Sequence, residues 1–403
     1  MLESLGKIVG SSAEAERFVR EIFGRRPAVF SGPTAGFADL FDWAEMERML
    51  QYSQVHHPRV RVTKNGAAAD EGAIAVERVS HEGVGYTRLL SGAVMAELSD
   101  GATLVVDSAD ELSPPLRRLA ADLERELQEH VEINVYCSWG TEPGLGLHWD
   151  DHEVIVLQVA GEKKWEIHSP TLEAPTAEQQ PPPPAAGTEP AMALTLRAGE
   201  SLHVPRGWWH LVASVGVPSL HLTIGIRPAT GVDLLAAVVR EVGARAAMRV
   251  NIPRWGSPAE TAQYLATVRE AVQEELSGSD LLQRFLLMRN GRDPGRGALS
   301  LASLGGDGRL HLDDDSIVRL VAPRARIEFD GEQIKLYGAG HELSIRTEAR
   351  AVLEILFTEE SISFRELSAK CSATMPGNAI EELLSDLTIL GLISLERGRI
   401  TSH

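Results

Sequence analysis

The apolar positions of this chain change period several times along its length. Residues 12–23 and 38–51 carry apolar side chains every three to four positions and predict helices, while PAVFSG (27–32) and VRVTKNG (60–66) predict short strands ended by turns. A clearer helix follows. Ser113 stands where it can cap, Pro114 and Pro115 fill the first turn, and Leu116, Leu119, Leu123 and Leu127 make one apolar stripe. From about 131 to 227 the period drops to two. VEINVYCSW, EVIVLQVAG, KKWEIHSP, ALTLRAGESLHVP and SLHLTIGIRP all read as strands between Gly and Pro breakers, with 171–190 and its four consecutive prolines as an exposed connector. Many short strands at this spacing predict a sandwich or barrel. After Pro228 the helical period returns over 231–249, 258–277 and 279–289, and GRDPGRG (291–297) interrupts it. The chain then alternates in ARIEFDGEQIKLYG and ends with helices at 348–357 and 376–390, a short SFRELSAK segment between them, and GLISLERGRIT after them. Helix, short helix, longer helix and strand pair is the order of a winged-helix module.

Composition narrows the classes. A chain of 403 residues, 43% apolar and 24% charged, predicts two or three soluble globular domains. No apolar run reaches 18 residues, and the amino terminus lacks the basic start and apolar stretch of a secretory signal, so neither a membrane span nor export is expected. Only Cys137 and Cys371 occur, which excludes a disulfide framework and a cysteine-built zinc site and fits a reducing cytoplasm. The formal net charge of −18 weighs against a nucleic-acid partner, because phosphate neutralisation needs clustered Lys and Arg.

Candidate chemistry concentrates in GLGLHWDDHEVIVLQVAGEKKWEIHSP. On a strand, residues i and i+2 face the same way, so His148 and Asp150 present an imidazole and a carboxylate together. One further imidazole would complete a two-histidine, one-carboxylate triad, which leaves open positions on a non-haem Fe(II). LHVPRGWWHLVAS offers His203 and His210. The turn through Pro205, Gly207 and Trp208 delivers His210 at the start of a strand, which favours it, with His152 and His221 as weaker candidates for supporting roles. In KKWEIH, alternation puts Lys163 beside Trp165 and Ile167 on an otherwise apolar face, where a cation needs an anionic partner. A partner suited to such a site is the distal carboxylate of 2-oxoglutarate, with its keto-acid end on the metal. Asn134 and Tyr136 share one face of the upstream strand and offer hydrogen-bonding groups.

The run GATLVVDSADELSPPLRRL, then NVY, then HWDDHEVIVLQVAGEKKW, with RRPAVFSG near the start, resembles the JmjC-type cupin family of ribosomal oxygenases, which are 2-oxoglutarate-dependent protein hydroxylases. The resemblance implies an α+β chain: a JmjC/cupin double-stranded β-helix barrel over 1–230, a helical dimerisation region over 231–300 and a winged-helix domain over 301–403. It implies iron ligands at His148, Asp150 and His210, a 2-oxoglutarate-binding cation at Lys163, and cosubstrate or substrate contacts at Asn134 and Tyr136. It also implies a homodimer acting on a side chain of a protein or peptide, for which the acidic surface favours a basic substrate. Many members have Thr-Pro after the NxY, where this chain has Cys137, Ser138, Trp139 and Gly140, so a substrate other than a ribosomal protein, such as a biosynthetic precursor peptide, is also open. The rival from another class is a non-enzymatic winged-helix regulator with a small-molecule-sensing barrel. It would need a basic recognition helix, whereas 376–390 carries Glu381, Glu382 and Asp386 and no Lys or Arg.

Overall fold

The alternating stretch folds into two facing sheets, and the helices before it cover the back of the larger one. The structure is a computed structural model that describes residues 2–52 and 58–396. It divides into two units, Met1–Pro228 and Ala229–His403.

The first unit begins with α1 (Glu3–Val9) and α2 (Ser12–Arg17), which runs into a π-helical turn at Phe18–Ile22. Strand β1 (Ala28–Phe30), helix α3 (Trp43–Tyr52), strands β2 (Val60–Lys64) and β3 (Ala67–Ala68) and the turn of helix α4 (Glu71–Ile74) follow. A hairpin of β4 (Ala75–Val79) and β5 (Gly85–Leu89), helix α5 (Ser91–Ser99), strand β6 (Thr103–Val106) and helix α6 (Pro114–Leu127) complete the scaffold. The hairpin and α5 were not legible in the sequence, since both strands are exposed along most of their length and carry no buried alternation. Helix α6 has the expected stripe, with Leu116 and Leu123 fully buried, each burial stabilising by roughly 1.5–3 kcal/mol. Ser113, however, makes no capping bond; its hydroxyl donates to Glu45 Oε1 at 2.7 Å and ties α6 to α3.

The barrel strands are β7 (His130–Ser138), β8 (Glu153–Ala160), β9 (Glu162–His168), β10 (Met192–Arg197), β11 (Ser201–Val204), β12 (Trp209–Ser214) and β13 (Ser219–Arg227). The predicted strand at 193–205 is thus two strands. The major sheet runs β1-β11-β8-β13-β7-β6-β2-β3 and the minor sheet β10-β9-β12. Alternation sorts the side chains: Ile133, Val135, Ile155, Leu157, Leu222 and Ile224 pack against the helices, while Val154, Val156, Leu202 and Val204 meet Trp165, Ile167 and Leu196 between the sheets. The chain crosses from one sheet to the other at Gly161, between β8 and β9. Its φ is +66°, and a Cβ there would lie 2.1 Å from the carbonyl oxygen of Pro218.

The second unit opens with α7 (Gly231–Gly243), α8 (Pro258–Leu276) and α9 (Leu281–Gly291). Thr230 with Asp233, and Ser257 with Glu260, close reciprocal capping boxes that set the starts of α7 and α8. Strands β14 (Ile317–Leu320), β15 (Arg326–Asp330), β16 (Gln333–Gly338) and β17 (His341–Arg346) lead to α10 (Arg350–Thr358), β18 (Ile362–Ser363), α11 (Phe364–Cys371), α12 (Gly377–Ile389) and β19 (Ile393–Glu396). β15-β16-β17 form a meander, and the order β18-β14-β19 puts β14 between the strands that flank α11 and α12. The end of the expected terminal strand pair, from residue 397, lies outside the described residues. Among the described residues no helix is long and apolar enough to cross a membrane.

Gly161→Ala should lower the thermal midpoint of the protein, by more than the roughly 1 kcal/mol typical of a helical Ala-to-Gly exchange, because the methyl meets backbone that cannot yield. A melting curve followed by circular dichroism checks this; an unchanged midpoint would contradict the corner.

Candidate metal centre

His148 and His210 sit opposite each other as an isolated antiparallel pair that exchanges both backbone hydrogen bonds, His210 N–H to His148 O at 2.7 Å and His148 N–H to His210 O at 3.2 Å. The sequence places them here through one turn. Pro205–Trp208 closes on itself and launches β12, and Gly207 N–H donates to Asp150 O at 3.0 Å, fastening the carboxylate segment to the same turn. One ligand atom from each of His148, Asp150 and His210 falls within 4.8 Å of the others, a spread that one metal ion can span. The imidazole centroids are 4.2 Å apart, and His210 Nε2 is 3.6 Å from Asp150 Oδ2.

The ring tautomers fit the same purpose. His148 Nδ1 lies 2.8 Å from the carbonyl of Gly146 and His210 Nδ1 lies 3.1 Å from that of Trp208. A carbonyl only accepts, so each Nδ1 carries the proton and each Nε2 keeps its lone pair for a metal. Burial, and then the neighbouring His148, hold His210 well below the usual imidazole range, so it is neutral, as a ligand must be.

The triad opens on a cavity that also exposes Tyr136, Lys163, Trp165, Val212, His221 and Thr223. Lys163 is on the inward face of β9, as alternation requires, and is only 4% exposed. Burial pulls its ammonium down to about 7, against an opposing effect from Cys137. No carboxylate pairs with it among the described residues. Trp165 Nε1 and His221 Nδ1 are likewise buried without a hydrogen-bond partner. His221 stacks on Tyr136, rings 4.8 Å apart and 7° from parallel, and its protonation is opposed first by burial and then by Lys163. The Tyr136 phenol is held far above its usual range by burial and by Asp150, and it bonds to Arg61, which forks onto Asp107 with two bonds of 2.7 Å.

The remaining candidates take three different places. His203, the alternative ligand, is fully buried away from the cavity in β11, with Nδ1 bonded to Val154 O at 3.0 Å and its ring between Phe18 and Phe23. Asn134 shares a strand face with Tyr136, but its Oδ1 accepts the N–H of Ser108 at 2.8 Å and it is not among the residues lining the cavity. His221 belongs to the cavity wall. Its signal was the i, i+2 pattern of His221 and Thr223, two polar groups between Leu220, Leu222 and Ile224.

Residues 111–234 match the model of the JmjC domain family. The chain is 27% identical over 209 residues to a bifunctional lysine-specific demethylase and histidyl-hydroxylase NO66 of Drosophila pseudoobscura pseudoobscura, covering 51% of this chain and 21% of that protein. It is 26% identical over 262 residues to ribosomal oxygenase 2 of Rattus norvegicus, covering 59% of this chain and 56% of that protein. The chain thus spans about half or less of these curated relatives. Among solved structures, the ribosomal oxygenase YcfD of Escherichia coli, in complex with cobalt and 2-oxoglutarate, superposes with a TM-score of 0.58 at 16% identity, covering 94% of this chain and 98% of that one, which shows a shared fold. Residues 111–234 thus match a JmjC domain. Over that stretch and beyond it the chain is similar to proteins named ribosomal oxygenases.

The purified protein should bind one Co(II) and gain a visible absorption band. His148→Ala and His210→Ala should each weaken binding at least about 100-fold, the loss of one of three ligands exceeding the 10–100-fold typical of an outer-shell change. His203→Asn should bind Co(II) like the wild type; loss of binding there instead would move the site.

Proposed function

We propose that this protein is a 2-oxoglutarate- and Fe(II)-dependent oxygenase that hydroxylates a side chain of a protein or peptide. One observation carries the reading: a buried lysine without a counter-ion among the described residues shares a cavity with a one-sided triad of two imidazoles and a carboxylate. His148, Asp150 and His210 are the residues that would hold Fe(II), and Lys163 the one that would hold the distal carboxylate of 2-oxoglutarate. The same ligand set accepts Mn(II), Co(II) or Ni(II), and Fe(II) is chosen for the chemistry. When bound, iron and cosubstrate supply the oxidising power, 2-oxoglutarate and O₂ giving succinate and CO₂ while the second oxygen atom enters a substrate C–H bond.

The chain's own residues bind, orient and exclude. The Gly146 and Trp208 carbonyls fix both imidazoles with Nε2 inward. Lys163 gains a counter-ion only when a dicarboxylate enters, so its desolvation cost becomes selectivity for that acid. Tyr136, anchored through Arg61, offers a protonated hydroxyl to the cavity. Trp165 and Val212 line the same wall and keep bulk water out.

The finer organisation is proposed on the same footing. The sheet β18-β14-β19 with α10, α11 and α12 supports a winged-helix domain within 301–403, with 1–230 as the oxygenase domain. Val232, Leu235 and Val239 leave an apolar stripe on α7, each more than half exposed, which supports a homodimer formed through 231–300. The names of the relatives, a ribosomal oxygenase and a lysine-specific demethylase and histidyl-hydroxylase, support a protein substrate, and the net charge of −18 favours a basic polypeptide.

Succinate formation from 2-oxoglutarate tests the activity. Lys163→Ala should raise the KM for 2-oxoglutarate roughly 10- to 100-fold, the 1.5–3 kcal/mol of a charge-assisted bond, with Co(II) affinity unchanged. The sign of the pH effect is fixed as well. The dicarboxylate needs the ammonium form, which the free protein loses as pH rises through about 7, so KM should climb above that pH and stay flatter in Lys163→Arg. Normal KM in Lys163→Ala would contradict the reading. For the assembly, Leu235→Asp with Val239→Asp should convert a dimer to a monomer in light scattering; an unchanged mass would remove α7 from the interface.

A further inference from the structure

Gly225 interrupts β13 in the middle of the major sheet, paired with Glu132 of β7 on one side and Val154 of β8 on the other. A glycine inside a central strand costs stability and asks for a reason of its own. Here the reason is a neighbour. A Cβ at Gly225 would stand 2.9 Å from Cδ2 and 3.0 Å from Nε2 of His152, so the imidazole lies against bare backbone. The other side of that ring is held too. His152 Nδ1 is 2.9 Å from Asp151 Oδ1, and the same oxygen accepts from Arg227 at 3.1 Å, two residues beyond the glycine on β13. The segment Asp150–His152 is a bend between the His148 bridge and β8, with no ladder of its own to fix it.

We propose that His152, seated on Gly225 and clamped through Asp151 to Arg227, is a positioning residue that aims the Asp150 carboxylate into the triad. The inference rests on the metal reading above. Both ends of the clamp lie on β13, so the rigid sheet sets the bend, and Asp150 is the residue immediately before the two clamped ones. Gly207 N–H holds Asp150 by its backbone oxygen from the other side. Between these two restraints the carboxylate has little freedom to turn outward.

The test uses Co(II) titrations and the Co(II) visible spectrum of the full-length protein, with Gly225→Ala, His152→Ala and the double variant. Gly225→Ala keeps every ligand but drives a methyl into the ring, so it should weaken Co(II) binding by about 10-fold or more and alter the band, as outer-shell changes do. His152→Ala should weaken it less. In the double variant the methyl enters vacated space, so affinity and band should return to those of His152→Ala. If Gly225→Ala is insoluble, the double variant should be soluble. Wild-type behaviour of Gly225→Ala, or a double variant no better than Gly225→Ala, would overturn the clamp while leaving the metal site standing. A wild-type protein that takes up no Co(II), or a His148→Ala variant that binds as well as wild type, would overturn the metal reading and this inference with it.

Discussion

The two backbone hydrogen bonds between His148 and His210 are the constraint from which the rest of the site follows. Residues that exchange both bonds across an antiparallel pair hold their Cα atoms about 5.5 Å apart with side chains on one face. Two imidazoles so placed cannot point away from each other, and Asp150, two residues on, falls on the same side. All three side chains therefore approach from one hemisphere, and the other hemisphere opens on the cavity. The two sheets, the turn at Pro205–Trp208 and the bond from Gly207 to Asp150 maintain that single registration.

Desolvation shapes what the cavity accepts. Lys163, Trp165 Nε1 and His221 Nδ1 are polar groups inside an apolar wall, and the two ring nitrogens have no partner among the described residues. An unsatisfied buried donor costs roughly 1–3 kcal/mol, a loss that a polar molecule entering the cavity would recover. Tyr136 differs, since Arg61 and Asp107 already fix it. The wall thus combines one preset hydroxyl with several groups that await a ligand.

Much of this was readable from residue order. The period-two stretch announced the barrel, i, i+2 placement paired His148 with Asp150, and the position of Lys163 between Trp165 and Ile167 gave away its inward face. Other features were opaque for physical reasons. The β4–β5 hairpin is exposed on both sides, so burial imprints no alternation on it. The turn before β12 favoured His210, but what becomes of His203 depends on which face of β11 turns to the helices, where Phe18 and Phe23 enclose it. Asn134 shares Tyr136's side of β7, yet Ser108, distant in sequence, captures its amide oxygen. The meaning of Gly225 depends on a histidine 73 positions earlier, a contact that no local pattern encodes.

Anaerobic absorption spectroscopy tests the central claim most directly. Fe(II)-loaded protein titrated with 2-oxoglutarate in the absence of O₂ should develop a visible charge-transfer band that saturates at one equivalent per chain, since only a keto acid chelating a one-sided Fe(II) site produces it. A protein that binds Fe(II) but shows no band on adding 2-oxoglutarate, or that shows the same band after His210→Ala, would contradict the account.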